Sequence, residues 1–397
     1  MKYLFYISFF LLCLLSIGDP GNSILGMKEV AFAITLFFGF FYCRGLSGVP
    51  TYVLTAVFMI GFLLPLLGMI IGLGIGNQFK MEVCFGYIKS MLFIFLLLVM
   101  YKGNYILHKE FAIATLILLP LILGIRYFII NSGIDAIPLL FDEDAVKVSR
   151  RAYGPILIDP VVFYKTSPLL IFGLSFICSV KTKVKYIIIP IILVTLFFTG
   201  TRANMISGLL VSLIWLWTAI KKNRILRTTF ISVGVIIGLM YVPYLINDVF
   251  FSQDEASMEI KASHMSSYVD YWTNNPINFL FGQGIGSGMY TKAEGLVYLI
   301  EPTYMELIRH WGILFFPLTF YFLVFGPAYF YFKNRNIDAL EPYHFFVYAY
   351  YAYAFVEIPS NPLLFGSSGM IVLSLAYVVV CQIKKQKNHV LHSPVNV

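Results

Sequence analysis

The sequence predicts an all-α, polytopic integral membrane protein that folds as a single transmembrane domain over residues 1–397. Composition is the first reason: 59% of the residues are hydrophobic, only 12% are charged, and the mean hydropathy is +0.82. Soluble globular domains carry about 25% charged residues. The second reason is the continuity of the apolar runs. Several of them, such as 111–130, approach the roughly 20 residues that a membrane-spanning helix needs, whereas a membrane β-barrel shows short segments of alternating hydrophobicity.

The apolar runs predict about 12 membrane-spanning helices. The first follows Lys2 and is expected to be retained, because no small-residue cleavage pattern of a signal peptide accompanies it. Pro65, Pro190 and Pro317 are expected to kink their helices. In approximate numbers, the predicted spans are 3–17, 30–43, 52–73, 84–100, 111–130, 167–180, 186–199, 203–220, 228–246, 303–332, 343–356 and 363–382.

Basic residues indicate how these helices are oriented. Lysine and arginine gather in four short segments at 181–185, 221–227, 333–335 and 384–387. These segments alternate correctly with the spans, and cytoplasmic loops retain positive charge, so all four segments and both chain termini are expected in the cytoplasm. The segment 80–82 is an exception to this pattern. The net charge of +8 is therefore attributed to membrane orientation rather than to nucleic-acid binding.

The same orientation places two long loops, 131–166 and 247–302, and the short turn 199–204 on the outer side. Because the opposite side has short basic loops that serve orientation, the outer side is expected to carry the function. No internal repeat is visible in the sequence, which disfavours the transporters that are built from two related halves.

No pattern in the sequence predicts a metal ion or another cofactor. The segment GQGIGSG at 282–288 lacks the glycine spacing of a Rossmann fingerprint and the Gly-Lys-Ser/Thr of a P-loop. Its glycines predict either a flexible turn or a backbone that approaches a bulky ligand closely. The cysteines have neither CxxC nor metal-ligand spacing and are expected to be small core residues; they are Cys13, Cys43, Cys84, Cys178 and Cys381.

The turn TGTRAN, at 199–204, is the first candidate for chemistry. Arg202 always carries its charge, and it lies at the start of an apolar helix, where free N–H groups and the helix dipole favour an anion. A guanidinium in that position suits a phosphate group, which it can hold through two hydrogen bonds. The alternative is an arginine that reaches the lipid headgroups.

Both long outer loops contain further polar candidates. In the first loop, Arg150 and Arg151 follow an acidic stretch, and they either bind a polyanion or pair with those acids. In the second loop, His264 is either a proton carrier or an ordinary polar histidine. Lys292 follows the glycine segment shortly before the chain re-enters the membrane.

The segment EPTYMELIRHWG, at 301–312, leads back into an apolar helix. Pro302 suits the first turn of that helix, which places Glu301 at the outer surface. A carboxylate at a partly dehydrated surface can have a raised pKa and serve as a base. Glu306 and Arg309 are three residues apart on one helix face, so the sequence predicts that they pair.

Together these motifs resemble the O-antigen polymerase and O-antigen ligase superfamily. The resemblance rests on the TGTRAN turn that opens a helix and on a later series of elements. That series comprises Trp272, Asn275–Pro276, FGQGIGSG, Glu301 and YMELIRHWGIL. The motifs cover roughly 187–325, and elsewhere the resemblance is one of hydropathy and length.

The resemblance implies a multi-pass glycosyltransferase of the bacterial inner membrane, similar to membrane-embedded GT-C-type enzymes, with its site on the periplasmic side. Such enzymes use polyprenyl-diphosphate-linked oligosaccharides and need no metal or other cofactor. Membrane lipids and a chain-length regulator protein are further implied partners, and nucleic acid is not. The implied catalytic residues are Glu301 and Arg202, and Arg202 matches the family arginine. The candidates for substrate binding are Arg150, Arg151, Asn204, His264, Lys292 and Arg309.

Departures from the superfamily pattern favour a polymerase. Ligases of the superfamily place a histidine where this chain has Glu301. A second departure concerns catalysis only: many relatives carry an arginine upstream of the loop tryptophan, and His264 stands near that place here, so the resemblance assigns no arginine of the second loop to catalysis. The alternatives are an O-antigen ligase that acts on lipid A core and a lipid-linked oligosaccharide flippase or other transporter. In each case the second loop is expected to cover a cavity shared by Arg202 and the segment 301–309.

Overall fold

The computed structural model describes residues 1–22, 26–102, 105–132, 146–153, 156–220, 228–229, 232, 256–300 and 302–392. It is mostly helical, with 79% helix and 13 helices within the described residues. They are α1 Lys2–Gly18, α2 Lys28–Cys43, α3 Thr51–Ile75, α4 Met81–Met100, α5 Tyr105–Ser132, α6 Ser167–Ser179, α7 Lys185–Phe198, α8 Arg202–Ile220, α9 Ala256–Asn274, α10 Pro276–Phe281, α11 Thr303–Lys333, α12 at 338–360 and α13 Ser367–His392.

Five of the described helices, α3, α4, α5, α11 and α13, are long and apolar enough to cross a membrane. Three shorter apolar helices are α1, α6 and α7. Of the predicted spans, 228–246 lies almost entirely outside the described residues. The helices depart from regular α geometry near several prolines, with π-helical turns at Met59–Leu63, just before Pro65, and at Tyr321–Phe325. The chain is therefore a helical protein whose composition and helix lengths suit a membrane.

The two long loops contain regular structure that the sequence analysis did not predict, although the protein is mostly helical as predicted. Strands β1 (Val146–Tyr153) and β2 (Ile156–Tyr164) form an antiparallel hairpin within the first loop. The second loop contains α9, α10 and a small hairpin of β3 (Met289–Thr291) and β4 (Gly295–Val297). Hydropathy does not detect such elements, because they are short and lie outside the apolar runs.

One end of the bundle carries basic residues. The Nζ atom of Lys384 lies 3.9 Å from the ring centre of Tyr52 and 4.9 Å from that of Phe330. These contacts bring the C-terminal part of α13 beside the start of α3 and the end of α11. The basic segments 333–335 and 384–387 therefore lie at the same end, as the orientation argument requires.

The outer loops meet at the opposite end. The Thr166 hydroxyl donates to the Ile17 carbonyl over 2.7 Å, which ties the start of α6 to the end of α1. The Thr303 hydroxyl donates to the Asn361 carbonyl over 2.8 Å, which ties the start of α11 to the segment before α13. Among the five long apolar helices, α13 is the most deeply buried, and its first turn lies at this end. We call this end the outer end.

Candidate functional site

The glycine segment 282–288 is a buried part of the outer end. Its backbone runs between α3 and α11: the Ile285 N–H donates to the Gly68 carbonyl over 3.1 Å, and the Gln283 N–H donates to the Arg309 carbonyl over 2.7 Å. A Cβ atom on Gly284 would lie 2.0 Å from the Gly72 backbone nitrogen. The glycines therefore allow backbone to approach backbone, and the alternative of a flexible turn is wrong.

Helix α11 is interrupted at the place where the glycine segment packs against it. Gly312 has φ 74° and ψ 165°, which interrupts the helix one turn beyond Arg309. A Cβ atom at Gly312 would lie 2.2 Å from the Leu280 carbonyl oxygen, and one at Gly282 would lie 2.5 Å from the His310 carbonyl oxygen. Only glycine adopts such backbone conformations without strain. The break exposes backbone groups of α11 that the glycine segment then satisfies.

Glu306 and Arg309 form an ion pair that is completely buried, which confirms the predicted pairing. The guanidinium donates from Nε to Glu306 Oε1 and from Nη2 to Glu306 Oε2, each over 2.6 Å. It also donates to the Ser287 carbonyl over 2.6 Å and to the Tyr298 carbonyl over 2.9 Å. Charged pairs are tolerated at 0% exposure when hydrogen bonds satisfy the remaining donors, as they do here.

Two more side chains complete this buried cluster. The Tyr268 hydroxyl, on α9, donates to Glu306 Oε1. Burial raises the pKa of the Tyr268 phenol well above its ordinary value, and the neighbouring Glu306 carboxylate raises it further. His310 Nε2 lies 3.2 Å from Glu306 Oε2, and His310 Nδ1 lies 3.2 Å from the Gly284 carbonyl oxygen. The cluster thus joins α9, α11 and the glycine segment.

The role of Arg309 in substrate binding stays a prediction. Its side chain is 0% exposed, and its guanidinium bonds within the protein at Nε, Nη1 and Nη2. In this arrangement the arginine positions the glycine segment and the 298 region. A substrate would reach it only after a rearrangement of those contacts.

The TGTRAN turn lies at the outer end, at the start of α8. Arg202 is the first residue of α8 and is partly exposed. Asn204 is fully buried, and its side-chain amide donates to the hydroxyls of Ser167 over 3.1 Å and Thr199 over 2.8 Å. Asn204 therefore joins the turn to the start of α6, and its predicted contact with substrate stays a prediction.

The base of the β1–β2 hairpin lies against this turn. Gly200 has φ +68°, and a Cβ atom there would lie 2.8 Å from the Val161 Cβ on β2. The Tyr164 hydroxyl, at the end of β2, donates to the Gly18 carbonyl. The end of β2 is thus fixed both to the TGTRAN turn and to the end of α1.

Two of the predicted residues of the second loop make local pairs. His264, on α9, is 2% exposed and has its Nε2 atom 3.0 Å from Glu294 Oε2. The Nζ atom of Lys292 lies 2.8 Å from Asp270 Oδ2, and both side chains are more than half exposed. Both pairs connect α9 to the β3–β4 hairpin, so they hold the second loop together.

Three predicted residues have no described side-chain environment. Glu301 lies outside the described residues. Arg150 and Arg151 are backbone members of β1, at the irregularity in its pairing with β2. Their proposed chemical roles stay predictions.

A cavity of about 290 Å³ opens at the outer end between α4, the end of β2 and the start of α13. Tyr87 and Phe365 separate it from the buried cluster, with ring centres 5.0 and 5.6 Å from the His310 ring. On another side Thr166 borders it, next to Ser167, which accepts a hydrogen bond from Asn204. Its lining residues are Pro20, Val83, Gly86, Tyr87, Ser90, Lys165, Thr166, Leu299, Pro362, Leu363, Phe365, Gly366, Ser367 and Ser368.

The cavity lies between the two motif regions without including their arginines. Arg202 and Arg309 are both absent from its lining, so the expected cavity shared by these two residues is not the one observed. Of the described residues of the second loop, Leu299 lines the cavity, and the glycines of that loop at 282–288 are buried. The expectation that this loop covers a cavity shared by Arg202 and the segment 301–309 stays a prediction, because Glu301 and residues 247–255 lie outside the described residues.

Sequence reasoning missed the polar residues of the cavity and one buried acid. Lys165, Ser367 and Ser368 belong to no recognised motif, although Val83, Gly86, Tyr87 and Ser90 repeat at helical spacing and could have been noticed. Glu357 is fully buried in a π-helical turn of α12 and accepts a hydrogen bond from the Asn361 amide over 3.1 Å. It forms no ion pair with the described residues. The five cysteines are buried and unpaired, which confirms the expectation for them.

Comparison with protein-family models and with curated proteins found no match to this chain. Within the described residues, no group of three or more histidine, cysteine, aspartate or glutamate side chains could hold a metal ion. The case for a function therefore rests on the motifs and on the geometry of the outer end.

Proposed function

We propose that this protein is a polymerase that joins polyprenyl-diphosphate-linked oligosaccharide repeats into an O-antigen or a related surface polysaccharide. The enzyme would lie in the bacterial inner membrane, with about 12 spans and a GT-C-type arrangement. Its basic end would face the cytoplasm, because positively charged loops are retained there. The outer end would then face the periplasm, where lipid-linked repeats are polymerised in the superfamily that the motifs resemble.

The observation that carries this proposal is the position of the cavity between the two motif regions. Asn204 connects the TGTRAN turn to the Thr166–Ser167 wall of the cavity, over 3.1 Å to Ser167. Tyr87 and Phe365, which also line the cavity, contact His310 of the cluster around Arg309. Two segments that are about 100 residues apart in the sequence therefore each contact residues at the wall of one cavity, at one end of an apolar bundle.

The proposed reaction needs few chemical groups. The bond between the anomeric carbon of the donor glycan and its diphosphate oxygen breaks, and an acceptor hydroxyl oxygen bonds to that carbon. The electron pair stays on the departing diphosphate, whose charge Arg202 would stabilise. The acceptor proton would pass to a carboxylate, for which Glu301 is the candidate. Two membrane-anchored substrates held side by side would supply much of the rate through proximity.

Reconstitution tests the proposal. The purified chain is placed in proteoliposomes with lipid-linked oligosaccharides extracted from the native host, and the lipid-linked products are sized by mass spectrometry. We expect products of two or more repeats, with Arg202→Ala reducing their formation at least about 100-fold, as the loss of one charge-stabilising donor does in other enzymes. Arg335→Ala, which removes an arginine at the basic end, is the control and should elongate like the wild type.

Other outcomes identify the alternatives. Movement of the unextended repeat across the bilayer without elongation would identify a flippase. Transfer of the glycan to added lipid A core, with no lipid-linked elongation, would identify a ligase. Unchanged product yield and length from Arg202→Ala at normal protein levels would exclude the diphosphate role of Arg202.

A further inference from the structure

One wall of the cavity is a single face of α4. Val83, Gly86, Tyr87 and Ser90 are spaced at i, i+3, i+4 and i+7, so they point to the same side of the helix. Gly86 has open space where a Cβ atom would stand, with no heavy atom within 4 Å. The glycine at position 86 therefore keeps this side of the cavity open, and a larger side chain there would occupy part of the cavity.

The opposite wall is the first turn of α13. The first N–H groups of a helix have no intrahelical partner, and they carry the positive end of the helix dipole. Ser367 and Ser368 lie in this turn, line the cavity and are each 4% exposed. Neither hydroxyl has a hydrogen-bond partner among the described residues, so both are available to donate to a ligand in the cavity.

Lys165 is the one charged side chain among the described residues that line the cavity. Lys165, at the end of β2, lines the cavity and forms no salt bridge with the described residues. Among the described residues that line the cavity there is no aspartate or glutamate. An ammonium group, two hydroxyls and a helix N-terminus together select an anion with several acceptor oxygens, and a phosphate group has that chemistry.

Size limits what the cavity can hold. Its volume of about 290 Å³ lies at the lower end of the roughly 300–1,000 Å³ of small-molecule sites. It can receive a phosphorylated headgroup, whereas a whole oligosaccharide repeat would extend beyond it.

We propose that this cavity is a second phosphate site, which binds the diphosphate of one lipid-linked substrate while Arg202 holds the diphosphate of the other. This assignment rests on the proposed function, because a polymerase that joins two lipid-linked repeats handles two diphosphates at once. The residues of the site are Lys165, Ser367 and Ser368, with the N–H groups at the start of α13.

A direct binding measurement tests the proposed phosphate site independently of polymerisation. The full chain is placed in nanodiscs of phosphatidylcholine, and binding of farnesyl diphosphate and of inorganic pyrophosphate is measured by titration calorimetry. We expect Lys165→Ala and the double variant Ser367→Ala/Ser368→Ala to weaken the cavity site at least about tenfold, because hydrogen bonds to charged groups are lost. Arg202→Ala should leave this site intact.

Filling the cavity provides a test that does not depend on removing polar groups. In Gly86→Leu the new side chain enters the open space and should abolish binding at the cavity. Gly74→Leu is the matched control, since Gly74 also has no atom within 4 Å of its Cβ position and does not line the cavity. Lys89→Ala controls for net charge, because Lys89 lies on α4 outside the lining and pairs with Glu29 at 3.4 Å.

The outcomes separate the two proposals. Wild-type affinity and stoichiometry in Lys165→Ala and Gly86→Leu would overturn the second phosphate site, even if the protein elongates lipid-linked repeats. Loss of binding in these variants, without elongation by the wild type, would support the site and contradict the polymerase. Nanodiscs that contain phosphatidylglycerol distinguish the source of the phosphate. Displacement of farnesyl diphosphate by that lipid would overturn the assignment to a substrate.

Discussion

The outer end of the bundle contains two polar regions of opposite character. Around Arg309 the charged groups are buried, paired and hydrogen-bonded, and the glycine segment closes over them. Around the cavity, Lys165 and the hydroxyls of Ser367 and Ser368 have no ion-pair or hydrogen-bond partner among the described residues. Interior polar groups that are already satisfied stabilise a structure, whereas unsatisfied polar groups beside a cavity can bind something else. The comparison therefore separates a buried ion pair whose charges are satisfied within the protein from a cavity whose polar groups can accept a ligand, although the Gln283 amide beside the ion pair has no hydrogen-bond partner among the described residues.

The largest effect should come from the glycine segment. Gly284→Ala places a Cβ atom 2.0 Å from the Gly72 nitrogen at φ +78°, and we expect a loss of about 5 kcal/mol or more in the free energy of unfolding. Fluorescence-detected size exclusion after heating measures this loss of stability as a lower melting temperature. Gly295→Ala is the matched control, because Gly295 has φ +72° with nothing within 4 Å. Equal losses in both variants would show that backbone conformation, and not close packing, explains the effect.

The next effect concerns the buried ion pair. Arg309→Met leaves the Glu306 carboxylate buried without its cation, and we expect a loss of about 3–5 kcal/mol in stability. Glu306→Gln combined with Arg309→Met should lose less than the sum of the two single losses, which a double-mutant cycle measures. A stable Arg309→Met protein that fails to elongate repeats would instead indicate a direct role of Arg309 in binding substrate.

A smaller effect is expected where α9 joins the cluster. Tyr268→Phe removes the hydrogen bond to Glu306, and bonds to charged groups contribute about 1.5–3 kcal/mol. Because the folded state raises the pKa of this phenol, the contribution is fully present below the ordinary tyrosine pKa of about 10 and declines above it. Thermal unfolding between pH 7 and 11 should therefore show a stability difference that is constant at first and shrinks at high pH. A stability difference between wild type and Tyr268→Phe that stays constant from pH 7 to 11 would contradict this prediction.

The smallest effect is expected at the exposed pair of Lys292 and Asp270. Both side chains are more than half exposed, so Lys292→Ala should change the free energy of unfolding by less than about 1 kcal/mol. The same variant tests the predicted contact with substrate in the elongation assay. Reduced elongation at unchanged stability would place Lys292 in the substrate path, and unchanged elongation would leave it a surface pair.

Much of the helical fold follows from the sequence, because long apolar runs have few alternatives in a membrane. The pairing of Glu306 with Arg309 also follows, since it depends only on local helical spacing. The burial of the glycine segment does not follow, because it depends on contacts of Gly284 with Gly72, which is far away in the sequence. The cavity is hidden for the same reason: Lys165 and Ser367 come from segments about 200 residues apart.

The end of β2 has a mechanical consequence. Val161 rests on Gly200, Tyr164 bonds to the end of α1, and Lys165 follows directly. The backbone segments that carry Lys165 and Arg202 are thus held against each other, so the distance between their Cα atoms is fixed by these contacts. If Lys165 and Arg202 each bind the headgroup of a different lipid, the base of the β1–β2 hairpin fixes the distance between the two bound substrates before either reacts. A substitution that weakens the contacts at the base of the hairpin would therefore disturb both phosphate sites at once, although no ligand contacts the hairpin base.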